Sequence, residues 1–126
     1  MASRRRCLVI EDDPDVGGLI EAILTQAGFD VYLRGSDEDG LSEAMVPELA
    51  LITVDVGLPD MSGWEVALRL RDLTDAPILM ITARLTEMDD LDAMAAGVSA
   101  FLAKPFRPTQ LRALVQQLCP IVPFCP

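Results

Sequence analysis

The sequence has no histidine and few basic residues, and each shortage excludes a class of function. Without histidine, and without a Cys-x-x-Cys pair, no zinc-binding spacing can be drawn. Ten basic residues against twenty acidic ones give a net charge of −10. Because nucleic-acid-binding domains meet the phosphate backbone with clustered Lys and Arg, we expect no direct nucleic-acid binding by this chain. The basic run at residues 4–6 is interpreted as a solvated lead-in to the first strand.

Cysteines and long apolar runs are also scarce. The cysteines are Cys7, Cys119 and Cys125. Their number and spacing favour ordinary thiols in a reducing cytoplasm, with a bridge between Cys119 and Cys125 as the alternative. No segment approaches the roughly 18 consecutive apolar residues that a membrane span needs. We therefore expect a soluble, cytoplasmic protein without a membrane segment.

What the sequence does contain is enough length and apolar content for one domain. It has 126 residues, of which 51% are hydrophobic, and chains of this size bury roughly two-thirds of their unfolded surface. We predict a single domain over residues 1–118. Residues 119–126 contain Pro120, Pro123 and Pro126 and cannot continue a regular helix. They are interpreted as a Pro-rich tail or as the start of a truncated linker.

Short strand-like runs alternate with segments of helical period. The runs are CLVI (7–10), DVYLR (30–34), LALITV (49–54), PILMI (77–81) and SAFLA (99–103). From Pro14 to Gly28 apolar residues recur along one helix face, and Asp13 is a candidate N-cap. Further helices are predicted after Ser36, over 86–97 and after Pro108. This alternation predicts an α/β fold, with a parallel sheet covered by helices on both faces.

Polar residues suited to phosphoryl chemistry follow four of these runs. They are Glu11, Asp12 and Asp13 after the first run, Asp55 after the third, Thr82 after the fourth and Lys104 after the fifth. The carboxyl ends of parallel strands lie at one edge of a sheet, where ligands bind. A carboxylate cluster without histidine suits Mg²⁺, and an Asp carboxylate can attack phosphorus to form an aspartyl phosphate. Lys104 and Thr82 could stabilise the charge on the transferred group.

Four motifs carry a resemblance to a known family. They are VIEDD (9–13), DVGLPDMSG (55–63), ITA (81–83) and AKPF (103–106). In this order they resemble the receiver domain of two-component response regulators, the CheY-like superfamily, over about residues 6–118. The resemblance implies a flavodoxin-like (βα)5 fold. Its sheet would be doubly wound, parallel and five-stranded, in the order 2-1-3-4-5.

The resemblance also implies a role for each residue at the strand ends. Asp55 would accept a phosphoryl group from the phosphohistidine of a sensor histidine kinase or a phosphotransfer protein. Glu11 and Asp12 would form the acidic pair of a Mg²⁺ site, which Asp55 and the backbone carbonyl of Gly57 would complete. Lys104 would pair with the phosphoryl group, and its bond to Pro105 would be cis.

The family's switch implies a signalling output and no turnover of a metabolite. Thr82 would move toward the phosphoryl oxygen while Phe101 turns inward, which would remodel the face formed by the fourth helix, the fifth strand and the fifth helix. That face would act on an output domain or a partner protein. A phosphorylation-dependent homodimer is one alternative for the partner. It would lack the salt bridges typical of the winged-helix transcription-factor branch of the family, because Leu114 and the pair Ser99-Ala100 replace charged residues common in that branch.

Other interpretations of the same residues compete with this one. Asp55 alone could be a turn-initiating aspartate, and Lys104 alone a solvated surface charge. A pseudo-receiver, which binds partners without phosphorylation, would not need the complete set of site residues. A phosphatase of the haloacid-dehalogenase type would need a second Asp two residues after the first, where Gly57 stands.

Overall fold

The computed structural model of the chain describes residues 5–35, 49–55, 63–82 and 97–120. The strands in these ranges are β1 (Arg5–Ile10), β2 (Phe29–Arg34), β3 (Leu49–Asp55), β4 (Ile78–Thr82) and β5 (Ala100–Ala103). The helices in them are α1 (Pro14–Gln26), α2 (Gly63–Leu73) and α3 (Pro108–Leu118).

The strands form one parallel sheet in the order β2-β1-β3-β4-β5. Both the parallel pairing and the 2-1-3-4-5 order confirm the fold predicted from the sequence. Parallel neighbours need a crossover connection, and helices α1 and α2 lie within such connections in the chain. The chain winds in both directions from β1, which places the ends of β1 and β3 side by side at the point where the strand order reverses.

Each face of the sheet carries its own hydrophobic core. Cys7 and Val9 of β1 pack in the cluster that contains α1 and α3, with members such as Ile20 and Val115. The alternate residues of β1, Leu8 and Ile10, pack with α2 through Val66 and Leu70. Because strand side chains point alternately to the two faces and both faces are covered, the central strands are apolar without interruption.

The ends of α1 follow the signals in its sequence. Asp13 is the N-cap, and its Oδ1 accepts the backbone N–H groups of Asp15 at 2.9 Å and Val16 at 3.4 Å. Pro14 opens the first turn, where a missing N–H costs nothing. After the helix, Gly28 adopts φ +98°, a left-handed conformation that glycine tolerates best. The predicted start and stop of this helix are confirmed.

Several strand boundaries differ from the sequence prediction, and two predicted helices lie outside the described residues. β1, for example, begins at Arg5 and not at Cys7. Asp55 and Thr82 are the last residues of β3 and β4, so the parallel ladder continues one residue further than the apolar runs did. The helix predicted after Ser36 lies outside the described residues, as does the predicted helix that ends before Gly97. The helix α2 was not delimited by the sequence reasoning.

The cysteines in the described residues are free thiols. Cys7 and Cys119 are both buried, and burial raises the pKa of both thiols. The Sγ of Cys119 lies 2.9 Å from the carbonyl oxygen of Ala50. The prediction of ordinary thiols is confirmed for this pair, whereas Cys125 lies outside the described residues. Across those same ranges, no helix is long and apolar enough to span a membrane.

Candidate functional site

The register of the sheet brings the predicted site residues to one edge. Ile10 is paired with Val54, so Glu11 follows beside Asp55. Asp55 is paired with Ile81, and Thr82 comes one residue later. The ladder closes where the N–H of Lys104 donates to the carbonyl of Thr82 at 2.7 Å. Residues far apart in the sequence are therefore adjacent, because they lie at the carboxyl ends of neighbouring strands.

Three carboxylates meet at this edge. One oxygen from each of Glu11, Asp12 and Asp55 lies within 4.8 Å of the others. Asp12 is exposed, whereas the Glu11 side chain is 1% exposed and that of Asp55 is 10% exposed. A cluster with several carboxylate oxygens and one solvent-facing member matches the all-oxygen, partly hydrated coordination that Mg²⁺ prefers. The donor set therefore fits a hard divalent cation.

Among the residues that the structure describes, Lys104 supplies a positive charge to this cluster. Its Nζ lies 3.1 Å from Oε2 and 3.4 Å from Oε1 of Glu11. The same atom lies 3.3 Å from Oδ2 of Asp55. Sequence reasoning paired Lys104 with a phosphoryl group on Asp55, but it did not anticipate the closer contact with Glu11. Only the fold shows that contact, because 93 positions separate the two residues in the chain.

Burial and the short distances between the charged groups shift the pKa values of Glu11 and Lys104. Burial and the neighbouring carboxylate of Asp55 raise the pKa of Glu11 to about 7, and Lys104 only partly opposes them. Burial lowers the pKa of Lys104, but the carboxylates of Asp55 and Glu11 outweigh burial and the pKa is raised. Lys104 is thus firmly protonated, whereas Glu11 ionises at a cost that an added cation would relieve.

The remaining predicted residues lie where the sheet places them or outside the described ranges. Thr82 is 3% exposed and ends β4, next to the start of the Lys104 loop. The peptide bond between Lys104 and Pro105 is cis, as the resemblance implied. Phe101 of β5 is partly buried against the core on the α2 face. Gly57, predicted to offer its carbonyl to the metal, lies outside the described residues.

An apolar pocket adjoins the site and was not anticipated from the sequence. Its volume is about 320 Å³, and it is lined by Lys104 together with Val16, Leu19, Pro105 and Phe106. We call these four apolar residues the apolar patch. Leu19 belongs to the apolar stripe of α1, yet it is 43% exposed. The stripe marked it as apolar, but only the packing shows that this part of the stripe faces solvent.

Comparison with known proteins decides the family. The sequence matches the response regulator receiver domain over residues 7–116. The chain belongs to this family. Two curated relatives of the receiver domain are the uncharacterized transcriptional regulatory protein YrkP of Bacillus subtilis, 37% identical over 110 residues, and the DNA-binding response regulator MtrA of Mycolicibacterium smegmatis, 32% identical over 113 residues. The resemblance inferred from the four motifs is confirmed.

The extent of these matches differs between sequences and structures. The alignments cover 87% and 90% of this chain but 47% and 50% of YrkP and MtrA, so the chain spans about half the length of the curated relatives it matches. Among solved structures, the response regulator TrrA of Thermotoga maritima in complex with Mg²⁺ and BeF is similar at a TM-score of 0.81 and 28% identity. That alignment covers 90% of this chain and 98% of TrrA.

Proposed function

We propose that this receiver domain takes a phosphoryl group onto Asp55 from the phosphohistidine of a sensor histidine kinase or a phosphotransfer protein, with Mg²⁺ as its cofactor. The observation that carries the proposal is the meeting of Asp55, the acidic pair and Lys104 at the carboxyl end of one parallel sheet. A lone carboxylate at a strand end would be ordinary. A carboxylate with a second carboxylate and an ammonium within contact is an arrangement for charged chemistry.

The chemical step follows from the groups present. A carboxylate oxygen of Asp55 forms a bond to phosphorus while the bond between phosphorus and the histidine nitrogen breaks, and the imidazole leaves with the electron pair. The ammonium of Lys104, 3.3 Å from Oδ2 of Asp55, is placed to neutralise charge on the phosphoryl oxygens. Hydrolysis of the aspartyl phosphate by water would then reset the domain.

Glu11, Asp12 and Asp55 would hold the Mg²⁺, together with the backbone carbonyl of Gly57. When bound, Mg²⁺ supplies charge compensation for the incoming phosphoryl group and for the crowded carboxylates. The mixture of buried and exposed carboxylates suits an ion that keeps several waters. The structure of TrrA with Mg²⁺ and BeF supports the same assignment by similarity.

The response to phosphorylation would pass through Thr82 and Phe101. Thr82 ends the strand next to Asp55, and Phe101 lies on β5, whose pairing with β4 is continuous up to Thr82 and Ala103. A hydroxyl drawn toward a phosphoryl oxygen would change the packing available to the neighbouring aromatic ring. The output surface would then be the face made by the predicted fourth helix, β5 and α3, where α3 (Pro108–Leu118) is the fifth helix of the family's fold.

The partners follow from the family and from the surface next to the site. The apolar patch opens beside Lys104, and a phosphodonor protein must approach this end of the sheet to reach Asp55. The apolar patch would therefore be part of the surface that the phosphodonor protein contacts. An output domain or partner protein would read the switch, in the cytoplasm, and the domain would end near residue 118. MtrA is a DNA-binding response regulator, so an output domain of that class is the one its similarity favours.

Intact-mass measurement after incubation with acetyl phosphate and Mg²⁺ tests the proposal. We expect one added phosphoryl group, about 80 Da for an aspartyl phosphate, in the wild-type domain and none in Asp55→Asn. Asp13→Asn serves as the matched control, because it removes an exposed capping carboxylate beside the site and should keep phosphoryl uptake. Undiminished uptake by Asp55→Asn would overturn the site assignment. Absence of an adduct in the folded wild type would instead favour a pseudo-receiver.

A further inference from the structure

Arg71 connects three segments at the amino-terminal edge of the sheet. It lies in the last turn of α2, and its Nη2 donates to the carbonyl oxygen of Ala76, which precedes β4. A Cβ atom added to Gly97 would meet Cγ and Cδ of Arg71, so the backbone of Gly97 lies against the stem of the arginine. Gly97 in turn precedes β5. One side chain of α2 therefore contacts the entry to β4 and the entry to β5.

The turn between α2 and β4 is fixed by hydrogen bonds on both sides of Ala76. The N–H of Ala76 donates to Oγ1 of Thr74 at 3.1 Å, while its carbonyl accepts from Arg71. The N–H of Thr74 donates to the carbonyl of Leu70 at 2.9 Å. Because both backbone groups of Ala76 are engaged, this turn is a firm support from which the Arg71 side chain can hold Gly97.

The residues that follow Gly97 fix where β5 begins. The N–H of Ser99 donates to the carbonyl of Ile78 at 2.9 Å, and the N–H of Ile78 donates to Oγ of Ser99 at 3.2 Å. Val98 packs against the hydrophobic core on the α2 face, as Phe101 of β5 does. The position of Gly97 therefore influences the position of β5 and of the aromatic ring that β5 carries.

The surroundings of Arg71 differ from those of a surface arginine. Burial lowers the pKa of Arg71, and the carboxylate of Asp75 opposes this effect. The Nε atom is buried and has no hydrogen-bond partner within the ranges that the structure describes. Arg69, in the same helix, instead forms an ion pair with Glu65 at 3.4 Å, and both of those side chains are more than half exposed. Because desolvation of a guanidinium costs free energy, its contacts in this turn must offset that cost.

We infer that Arg71 is a positioning residue for the output face. It holds Gly97 against the turn before β4 and so fixes the amino-terminal end of β5. With β5 fixed, Phe101 keeps its partly buried position until a phosphoryl group acts on Thr82. This consequence for Phe101 rests on the proposed function, whereas the contact between Arg71 and Gly97 does not depend on phosphorylation.

Amide hydrogen exchange in Arg71→Met tests the contact. Met keeps an unbranched stem against Gly97 but cannot donate to Ala76. Loss of a hydrogen bond from a charged donor should speed exchange of the Ser99 N–H, relative to that of the Glu11 N–H, roughly tenfold or more. The Glu11 N–H is the reference because it donates to a carbonyl of β2, on the other side of the sheet. Global destabilisation would not change this ratio in the same way, because it opens both hydrogen bonds.

Two further variants isolate the role of the charged donor. Arg71→Lys keeps a cationic donor on an unbranched stem and should return the ratio to within about threefold of the wild type. Arg69→Met removes an exposed cation from the same helix and should change the ratio by less than about twofold. If Arg71→Met does not fold, Arg71→Gln replaces it.

Three outcomes of the exchange experiment would overturn the inference. The first is a Ser99 amide that is accelerated no more than the Glu11 amide in Arg71→Met, since Arg71 would then contribute only to global stability. The second is equal acceleration in Arg71→Met and Arg69→Met. The third is exchange in Arg71→Lys as fast as in Arg71→Met, because the charged donor would then have no part in holding β5.

The second readout is the aromatic NMR signal of Phe101, with Mg²⁺ and beryllofluoride as the phosphoryl analogue. In the absence of both, the Phe101 signals of Arg71→Met should already be displaced toward their positions in the saturated wild type, because a loosened β5 populates the alternative packing. Phosphoryl uptake from acetyl phosphate should stay within about twofold, since Arg71 and Asp55 lie at opposite edges of the sheet.

The two readouts distinguish failure of the inference from failure of the proposed function. Phe101 signals that Arg71→Met leaves unchanged would overturn the role of Arg71 at the output face. A wild-type domain whose Phe101 signals do not respond to Mg²⁺ and beryllofluoride would refute the proposed switch. The exchange rate of the Ser99 amide would then still decide whether Arg71 fixes β5, because that measurement needs neither metal nor phosphoryl analogue.

Discussion

Replacement of Glu11 by Gln should stabilise the metal-free domain, although it removes a residue of the proposed site. The pKa of Glu11 is raised to about 7 from an ordinary value of 4.5, because of burial and the carboxylate of Asp55. The folded state therefore favours the protonated carboxyl. The stability that this group contributes is fully present below about pH 4.5 and is lost as the pH rises through about 7.

The size of the effect follows from the same shift. The difference between 4.5 and about 7, at about 1.36 kcal/mol for each pKa unit, corresponds to roughly 3 kcal/mol above pH 8. The edge of the sheet is open to solvent at Asp12, so screening reduces this value, and we expect a gain of about 1.5–3 kcal/mol for Glu11→Gln. Gln resembles the protonated Glu side chain in shape, so the gain should nearly vanish at pH 5.

Urea unfolding followed by far-UV circular dichroism measures this effect. The wild type and Glu11→Gln are compared at pH 5, 7 and 8.5 in EDTA and low salt. Asp72→Asn is the control, because Asp72 is exposed on α2 and its loss should change the free energy of unfolding by no more than about 0.5 kcal/mol. A Glu11→Gln variant that is no more stable than the wild type at pH 8.5 would refute the reasoning, as would a gain that does not depend on pH.

Two further predictions concern the fold and the surface beside the site. Gly97 has φ +80° and Gly28 has φ +98°, so alanine at either costs about 1–2 kcal/mol in backbone strain. Gly97→Ala should cost clearly more in urea unfolding than Gly28→Ala, because the added Cβ would meet the side chain of Arg71 at one glycine and open space at the other; equal costs would contradict the packing. Leu19→Glu in the apolar patch should slow phosphorylation by a histidine-phosphorylated donor protein at least tenfold while leaving the acetyl phosphate reaction unchanged. Leu68→Glu, at an exposed position of α2, should affect neither reaction. An equal loss in both Leu variants would remove the patch from the proposed donor contact.

Much of the fold could be predicted from local patterns. The five strand-like runs and the α1 boundaries are short-range features, since alternation, capping by Asp13 and the glycine stop at Gly28 act over a few residues. Continuous apolar strands require cover on both faces, and this requirement indicated a parallel sheet. The apolar runs predicted that β3 and β4 end just before Asp55 and Thr82. Both strands include these residues, because a polar residue at a strand end does not prevent ladder hydrogen bonds.

The candidate site was only partly readable in the same way. Topology predicted that Glu11, Asp55 and Lys104 would meet, since the carboxyl ends of parallel strands share one edge. The sequence could not show that Lys104 lies nearer to Glu11 than to Asp55, or that Leu19 faces solvent, because side-chain distances and burial depend on how the elements pack. The raised pKa of Glu11 depends on that packing as well.

The sequence by itself determined the alternation of strands and helices, the residue types at the strand ends and the family to which the chain belongs. These depend on hydrophobic period, local capping and motif order, which need no knowledge of long-range contacts. The tertiary structure decided which carboxylate holds Lys104, how deeply Glu11 is buried and which apolar residues remain exposed. Those properties arise from contacts between residues distant in the chain, and their energies depend on distance and solvent exposure, which only the folded chain fixes.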